Sequence, residues 1–409
     1  MSRLEELINE LCPDGVEHKK ISHVFKRIKG TLITAEQMKQ IAVDDGEIRI
    51  FAGGRTVVNA KLEDIPKANI TRVPAVLVQS RGLIDFVYYD KPFTFKNEMW
   101  AYTTENRVMV KFLYYVLKNN VDYFRNASSG MGALPQISLT VTENFLVPVP
   151  PLPTQEEIVR ILDSFTELEA ELEAELEARK KQYGYYRDAL LSFDKEKIGK
   201  GSNLYKLLSE LCPDGVEYKK LKDICSDIVV PMRDRPKSFL GSIPWCRIED
   251  IEGKRFNKSL SGLGVDDATI REMNLKVFPT GTVICSCSAS IGVYAINTQP
   301  LITNQTFIGL VCGGRILNQF LLYFMETQTA FLLSQASTGT IPYIARRKFE
   351  EMTVPLPPLS IQEEIVRILD EFDTLCNDIS QGLPKEIELR KKQYEYYRDK
   401  LLTFKRKEA

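Results

Sequence analysis

QEEIVRILD occupies residues 155–163 and returns unchanged at 362–370, an offset of 207. Upstream, ELCPDGVE at 10–17 returns at 210–217, an offset of 200. Downstream, RKKQYGYYRDALLSF at 179–193 returns as RKKQYEYYRDKLLTF at 390–404, an offset of 211. Between these blocks, residues 20–145 and 220–352 share no such identity. A period near 200 is far too long for a solenoid unit and fits a domain plus a long helix, used twice. The chain reads as one frame repeated around two unlike inserts.

QEEIVRILD opens a long helix in each copy. Thr154 with Glu157, and Ser360 with Glu363, have the spacing of capping boxes. Ile158, Ile161, Phe165, Leu168, Leu172 and Leu176, then Tyr183, Tyr186, Leu190 and Phe193, recur at spacings that mark a helix with a buried seam. Residues 154–193 would span about 60 Å at roughly 1.5 Å per residue. In the second copy Gly382 and Pro384 predict a break. An apolar seam of this length needs a partner helix. The frame supplies one, most simply antiparallel, with an internal two-fold and the helices setting the distance between the inserts.

The inserts read as mixed α/β. GEIRIFAGG, PAVLVQS and DFVYYD in the first, and GTVICSCS, IGVYAIN and FIGLVCGG in the second, are short β-branched or aromatic runs between turn residues. One helix per insert is predicted, at 107–124 and 316–333. Each insert ends in a polar loop, 127–137 and 336–344, then a proline-rich exit, VPVPPLP and VPLPPLS. The fold class is therefore α/β (α+β). Two globular domains, 1–150 and 201–357, alternate with two long antiparallel coiled-coil helices in 151–200 and 358–409, with a pseudo-two-fold between the halves.

Composition narrows the function. Nothing approaches the roughly 18–20 apolar residues of a membrane helix. The start, MSRLEELINEL, is amphipathic rather than a signal peptide. Eight cysteines without C-x-x-C, and only His18 and His23, argue against zinc and for reduced thiols in the cytoplasm. Cys285 and Cys287 fall on one face of a strand in a structural role. The net charge is −1, but ELEAELEAELEA at 167–178 holds six glutamates, so the remainder is −1 + 6 = +5. Phosphate binding needs clustered Lys and Arg, not a basic total. Local basic points exist at Arg49, Arg55, Arg81, Lys91 and Lys96, then Arg233, Arg235, Lys237, Lys254, Arg255, Arg346 and Arg347.

Catalytic patterns are absent. PDGVEHK at 13–19 and PDGVEYK at 213–219 imitate a nuclease PD…E-x-K set. Asp14 and Glu17 lie only three residues apart across a turn, where such a site draws its carboxylates from separate positions on a hairpin. There is no phosphate-binding G-x-x-x-x-G-K-[ST] loop. The di-prolines at Pro150-Pro151 and Pro357-Pro358 follow Val149 and Leu356, not the Asn or Asp of an adenine methyltransferase. Recognition chemistry remains. Ser128, Ser129 and Gly130, like Ser337, Thr338 and Gly339, suit phosphate oxygens. Asn97, Asn304 and Gln305 match adenine edges, and Arg81 and Arg247 guanine edges. Each could equally satisfy backbone in a loop. A coiled-coil adaptor presenting two protein-binding domains is the alternative; neutral inserts with large apolar patches would favour it, and salt-sensitive binding to duplex DNA would exclude it.

The whole chain resembles the DNA specificity (S) subunit of type I restriction–modification systems. The resemblance rests on LCPDGVE before each insert, P-x-P-P-L…QEEIVRILD after it, and R-K-K-Q-Y-x-Y-Y-R-D at each helix end, all occurring twice in register. It implies that each insert is a target recognition domain reading one half of a split, asymmetric site in double-stranded DNA. It implies a helical spacer docking two modification subunits, which carry S-adenosylmethionine and methylate adenine, and restriction subunits that add a motor and nuclease. This chain would itself hold no cofactor, metal or catalytic residue. Docking is expected at the repeated helix blocks, with Arg160 and Tyr183 in the first copy and Arg367 and Tyr394 in the second. The number of ELEA tetrads is expected to set the gap between half-sites.

Overall fold

A computed structural model describes residues 3–65, 69–128, 134–378 and 381–407. Two compact units emerge: Met1–Glu173 with Glu386–Ala409, and Ala174–Lys385. Each takes one insert together with stretches of the long helices, which the sequence reading had assigned to separate segments.

In the first unit, four antiparallel strands stand in the order Lys26–Lys29, Trp100–Thr103, Ala75–Gln79, Asp85–Tyr89. A smaller sheet sets Ile48–Phe51 between Val57–Ala60, antiparallel, and Phe93–Phe95, parallel. A ribbon of His18–Lys20 and Leu146–Pro148 closes the neck where the insert leaves the frame. The second unit repeats this plan. Its main sheet runs Cys225–Val229, Phe307–Cys312, Val283–Ser286, Tyr294–Asn297, with one added strand, Arg255–Phe256. Its small sheet sets Ile243–Cys246 between Gly264–Val265 and the parallel Ile302–Thr303. Tyr218–Lys220 and Thr353–Pro355 form its neck. Inserts without shared sequence identity therefore share a topology. Sheet pairing needs backbone register and apolar faces, which many side-chain sets supply.

One unbroken helix covers Leu152–Ser192. In the first unit its Phe165 stacks on Tyr397 at 5.5 Å, while Glu169 and Glu173 hold Lys391 at 3.3 and 2.9 Å. Numbers rise on one helix as they fall on the other, so this pair is antiparallel. In the second unit Tyr186 stacks on Phe372 at 5.3 Å, and the charges of Lys180 and Arg179 reach Cys376. That pair is antiparallel too. The predicted break is present: one helix ends at Asn377 and the next begins at Leu383.

Three local expectations are corrected. Thr154 and Ser360 do not cap, because the helices start earlier, at Leu152 and Leu359. Proline carbonyls serve the first turn instead: Thr154 N–H donates to Pro151 and Ile361 N–H to Pro358, each at 3.0 Å. The insert helices at 107–124 and 316–333 are each two: Arg107–Asn119 and Val121–Asn126, then Asn318–Thr327 and Thr329–Gln335. The chain turns at Asn120, whose side chain donates to Val116 O at 2.8 Å, and at Gln328, where ψ falls to 1°. Cys285 and Cys287 do share one core, at 0% and 4% exposure.

The joint between insert and frame is the same in both units. Tyr115, buried in the first insert helix, donates to Asp163, the last residue of QEEIVRILD. Tyr323 donates to Asp370 at 2.5 Å in the second copy. Gln155 and Gln362, at the other end of the block, donate to the Pro150 and Pro357 carbonyls at 2.7 and 2.8 Å. A hydrogen bond to a charged group contributes about 1.5–3 kcal/mol. Tyr323→Phe should therefore lower stability by about that amount; chemical denaturation checks it, and a change under about 0.5 kcal/mol would remove this joint from the account.

Candidate nucleic-acid interface

A continuous rim of loops forms where the strands of each unit end. In the first unit, Lys96 N–H donates to Phe51 O at 2.9 Å, extending the parallel pair past its last residues. In the second, Asn304 N–H donates to Cys246 O at 3.4 Å. Lys96 and Asn97 thus occupy the places of Asn304 and Gln305. A second segment joins from the polar loop that ends each insert. Ile137 N–H donates to Ser80 O at 3.0 Å and Gly82 N–H to Pro135 O at 2.8 Å. The counterparts are Ile344 to Cys287 O at 2.8 Å and Ala289 to Pro342 O at 3.2 Å. Gly82 and Ala289 both stand at positive φ, 76° and 59°, so the same turn is built from glycine in one unit and a strained alanine in the other. Ser80 Oγ donates to Glu98 O at 3.0 Å, and Cys287 N–H to Thr306 O at 2.8 Å, knitting each rim together.

The sequence candidates divide on this rim. Arg81, Asn97 and Gln305 are exposed on it. Arg55 is exposed in a hairpin turn held to the rim by Gln79, which donates to Gly54 O at 2.7 Å. Arg49 is exposed on its strand, 5.7 Å over the Tyr89 ring. Lys96 is paired with Glu98 at 2.9 Å, its charge already met. Asn304 accepts from Thr306 Oγ1 at 2.6 Å, and Ser337 Oγ accepts from Tyr343 N–H at 3.1 Å, so both shape turns. Ser128 donates to Arg125 O at 2.6 Å, closing a helix end. Thr338 is exposed beside Ser337; Ser129 lies outside the described residues. Arg346 is engaged by Glu350 at 2.7 Å on a short helix that also exposes Arg347.

Arg233 and Arg235 lie on an exposed loop. The guanidinium of Arg235 sits 5.5 Å from the Trp245 ring centre, and that of Arg247 sits 5.8 Å from it. Arg247 also pairs with Glu249 at 2.7 Å. An indole orienting two arginines was missed from sequence, although Trp245 and Arg247 stand together in WCR. Also missed were Leu134 and Ile341, exposed at 54% and 64% at matching rim positions. Their signal is the shared apolar-Pro-x-Ile ending of loops that otherwise differ, LPQI and IPYI.

The helix blocks behave differently from the rim. Arg160 grips Glu157 with both arms, at 2.6 and 2.9 Å, and Arg367 grips Glu364 at 2.9 and 3.1 Å. The arginine side chains remain 66% and 57% exposed. Each guanidinium lowers its glutamate's pKa. Tyr183 and Tyr394 sit in helix packing, not on the outer surface. Tyr183 is 9% exposed and accepts from Lys254 Nζ at 2.8 Å. Burial pushes the Tyr394 phenol up to about 12.

The PDG strings are turns. Gly15 and Gly215 take φ of 94° and 99°, and each N–H returns to Cys12 O or Cys212 O. Glu17 and Lys19 pair with each other at 2.7 Å, and Glu217 and Lys219 at 2.6 Å, so carboxylate and lysine face one another instead of a shared site. Among the described residues no helix is long and apolar enough to cross a membrane.

Comparison with known proteins agrees with this layout. A family profile described as type I restriction modification DNA specificity domain matches residues 13–178 and 213–389. The EcoR124I/EcoR124II specificity subunit of Escherichia coli is 32% identical over 338 residues, covering 80% of this chain and 78% of that protein. A specificity subunit of Haemophilus influenzae is 31% identical over 326 residues, covering 76% and 77%. Among solved structures, the S subunit of a type I restriction–modification system from M. genitalium aligns with a TM-score of 0.58 at 16% identity, over 94% of this chain and 96% of that one. A chain from a structure of type I system assembly and conformational transition aligns at 0.55, over 95% and 97%.

Proposed function

The chain belongs to the type I restriction modification DNA specificity family, and from that premise we propose that each unit reads one half of a split, asymmetric DNA site with its rim. The observation that carries this is the pair of rims with one backbone plan and different side chains. Arg81 stands where Ser288 does, and Lys96-Asn97 where Asn304-Gln305 do. Exposed Arg81 and Asn97 would meet base edges in the first half-site, and Arg247 and Gln305 in the second. Arg49, Arg55, Arg233, Arg235 and Arg347 suit phosphates. Two modification subunits would dock, one per helix block, and supply S-adenosylmethionine and the methyl transfer to adenine; restriction subunits would complete the complex. The protein would act in the cytoplasm, where its DNA lies.

Exchanging the first insert, 20–145, for that of a relative should change one half of the methylated motif and leave the other intact. Sequencing the methylated bases of cells carrying the exchanged chain reads this directly; a change in both halves contradicts it.

Docking has its own handle. Arg160 and Arg367 present charge at equivalent places without holding the core. Arg160→Glu with Arg367→Glu should weaken assembly with modification subunits by tenfold or more, about 1.4 kcal/mol, beyond the effect of Glu157→Gln with Glu364→Gln, which removes the same two ion pairs and reads their cost to the fold alone. Unaltered assembly would confine these blocks to helix packing.

The ELEA run would measure the gap between half-sites. A tetrad adds about 6 Å and about 40° beyond a full turn, while one base pair adds about 3.4 Å and about 35°. Glu169 and Glu173 share Lys391, which relieves repulsion between neighbouring tetrads, and Leu172 is buried. After deletion of 171–174, Leu176 and Glu177 inherit these places. The methylated motif should keep both half-sites and lose about one or two base pairs of spacer. An active deletion variant with an unchanged spacer contradicts the ruler.

A further inference from the structure

The edge strand Lys26–Lys29 of the first unit borders a cleft of about 340 Å³ that the sequence reading did not single out. Arg27, Lys29, Asn69, Asn97 and Trp100 line it, and no carboxylate is among its lining residues. Register explains the clustering. Arg27 pairs with Tyr102 and Lys29 with Trp100, so the two cations alternate onto one face of the sheet beside the indole. On the same face Tyr102 OH and Trp100 Nε1 both meet Thr142 Oγ1, at 2.7 and 3.0 Å. Asn69 is fixed by donating to Gly30 O at 2.8 Å. Arg27 has one long pair, with Glu143 at 3.5 Å; Lys29 enters no ion pair among the described residues and is exposed.

We infer that this cleft holds phosphodiester groups of the DNA backbone flanking the first half-site. The inference rests on the reading of the first unit as a DNA reader and names a contact surface for it beyond the rim. Three observations support it. Asn97 belongs both to the rim and to the cleft, so a strand seated on the rim runs on to Arg27 and Lys29. The chemistry is two cations and carboxamides on a rigid floor, which suits phosphate oxygens and carries no base information. The second unit lacks the feature. There Leu310 pairs with Ile228 and Val283 as Tyr102 pairs with Arg27 and Val76, so buried Ile228 stands in place of Arg27, and Val230 follows in place of Lys29. Lysines on edge strands also guard against stray sheet pairing. The equivalent edge, Cys225–Val229, manages with a register shift and Asp227, so its guard is not basic. Edge protection leaves the concavity and the continuity with Asn97 unexplained.

The test is DNA binding by the chain assembled with its modification subunits, measured across salt concentrations on a duplex bearing its motif. Arg27→Gln with Lys29→Gln is compared with Lys200→Gln, an exposed lysine of the second unit outside the cleft. Removing two phosphate contacts should weaken binding about tenfold or more and make the slope of log affinity against log salt shallower by about two. The methylated motif should be unchanged, and melting of the double variant should match the parent. A slope equal to that of Lys200→Gln overturns the inference, and so does an altered first half-site, which would make these residues base readers. A parent complex without motif-dependent binding would instead overturn the DNA-reading function itself and the inference with it.

Discussion

A buried tyrosine donating to an aspartate ties each insert to its helix at the same place in both units. Asp163 and Asp370 end the most faithfully repeated block of the chain. Tyr115 and Tyr323 come from inserts that share no comparable identity. The joint therefore constrains one residue of each insert while leaving its outer loops free. Gln155 and Gln362 fix the other end of the block to proline carbonyls in both copies. Buried polar groups are costly when unsatisfied, which makes such a joint intolerant of half measures.

With the joint and neck fixed, side chains are free to vary on the rim. The backbone bonds from Ile137 to Ser80 and from Ile344 to Cys287 are the same bond drawn by different residues. Main-chain groups carry the shape, so side chains at 81, 97, 288 and 305 are released from structural duty. A reader built this way changes its target without changing its fold. The basic cleft beside Lys29 extends this logic from reading to holding: a cationic edge in one unit and an edge without basic residues in the other, on one topology.

How much of this was legible in the sequence depended on what each feature conserves. The frame was legible because it repeats residue for residue, and the helix 152–192 because its seam recurs every three or four residues. Its start was misread: Thr154 and Ser360 look like caps, but prolines already begin the turn before them. The kinks at Asn120 and Gln328 were invisible because apolar periodicity continues across them. The likeness of the inserts was hidden because strand pairing preserves register and burial, not identity. Among rim candidates, Arg81, Asn97 and Gln305 are exposed. Asn304, Ser128 and Ser337 instead serve local turns, the usual competition for short polar side chains. The cations at 26, 27 and 29 carry no signal of their own in the sequence, since basic residues on a short exposed strand look like any edge strand.

The most direct measurement is a map of methylated adenines across the genome of cells in which this chain is the sole specificity subunit, compared with cells lacking it. The account predicts one split motif, two unlike half-sites about a fixed gap, with one methylated adenine in each half on opposite strands. A continuous unsplit motif, or two identical half-sites, would contradict the claim that two unlike rims on one frame read the DNA.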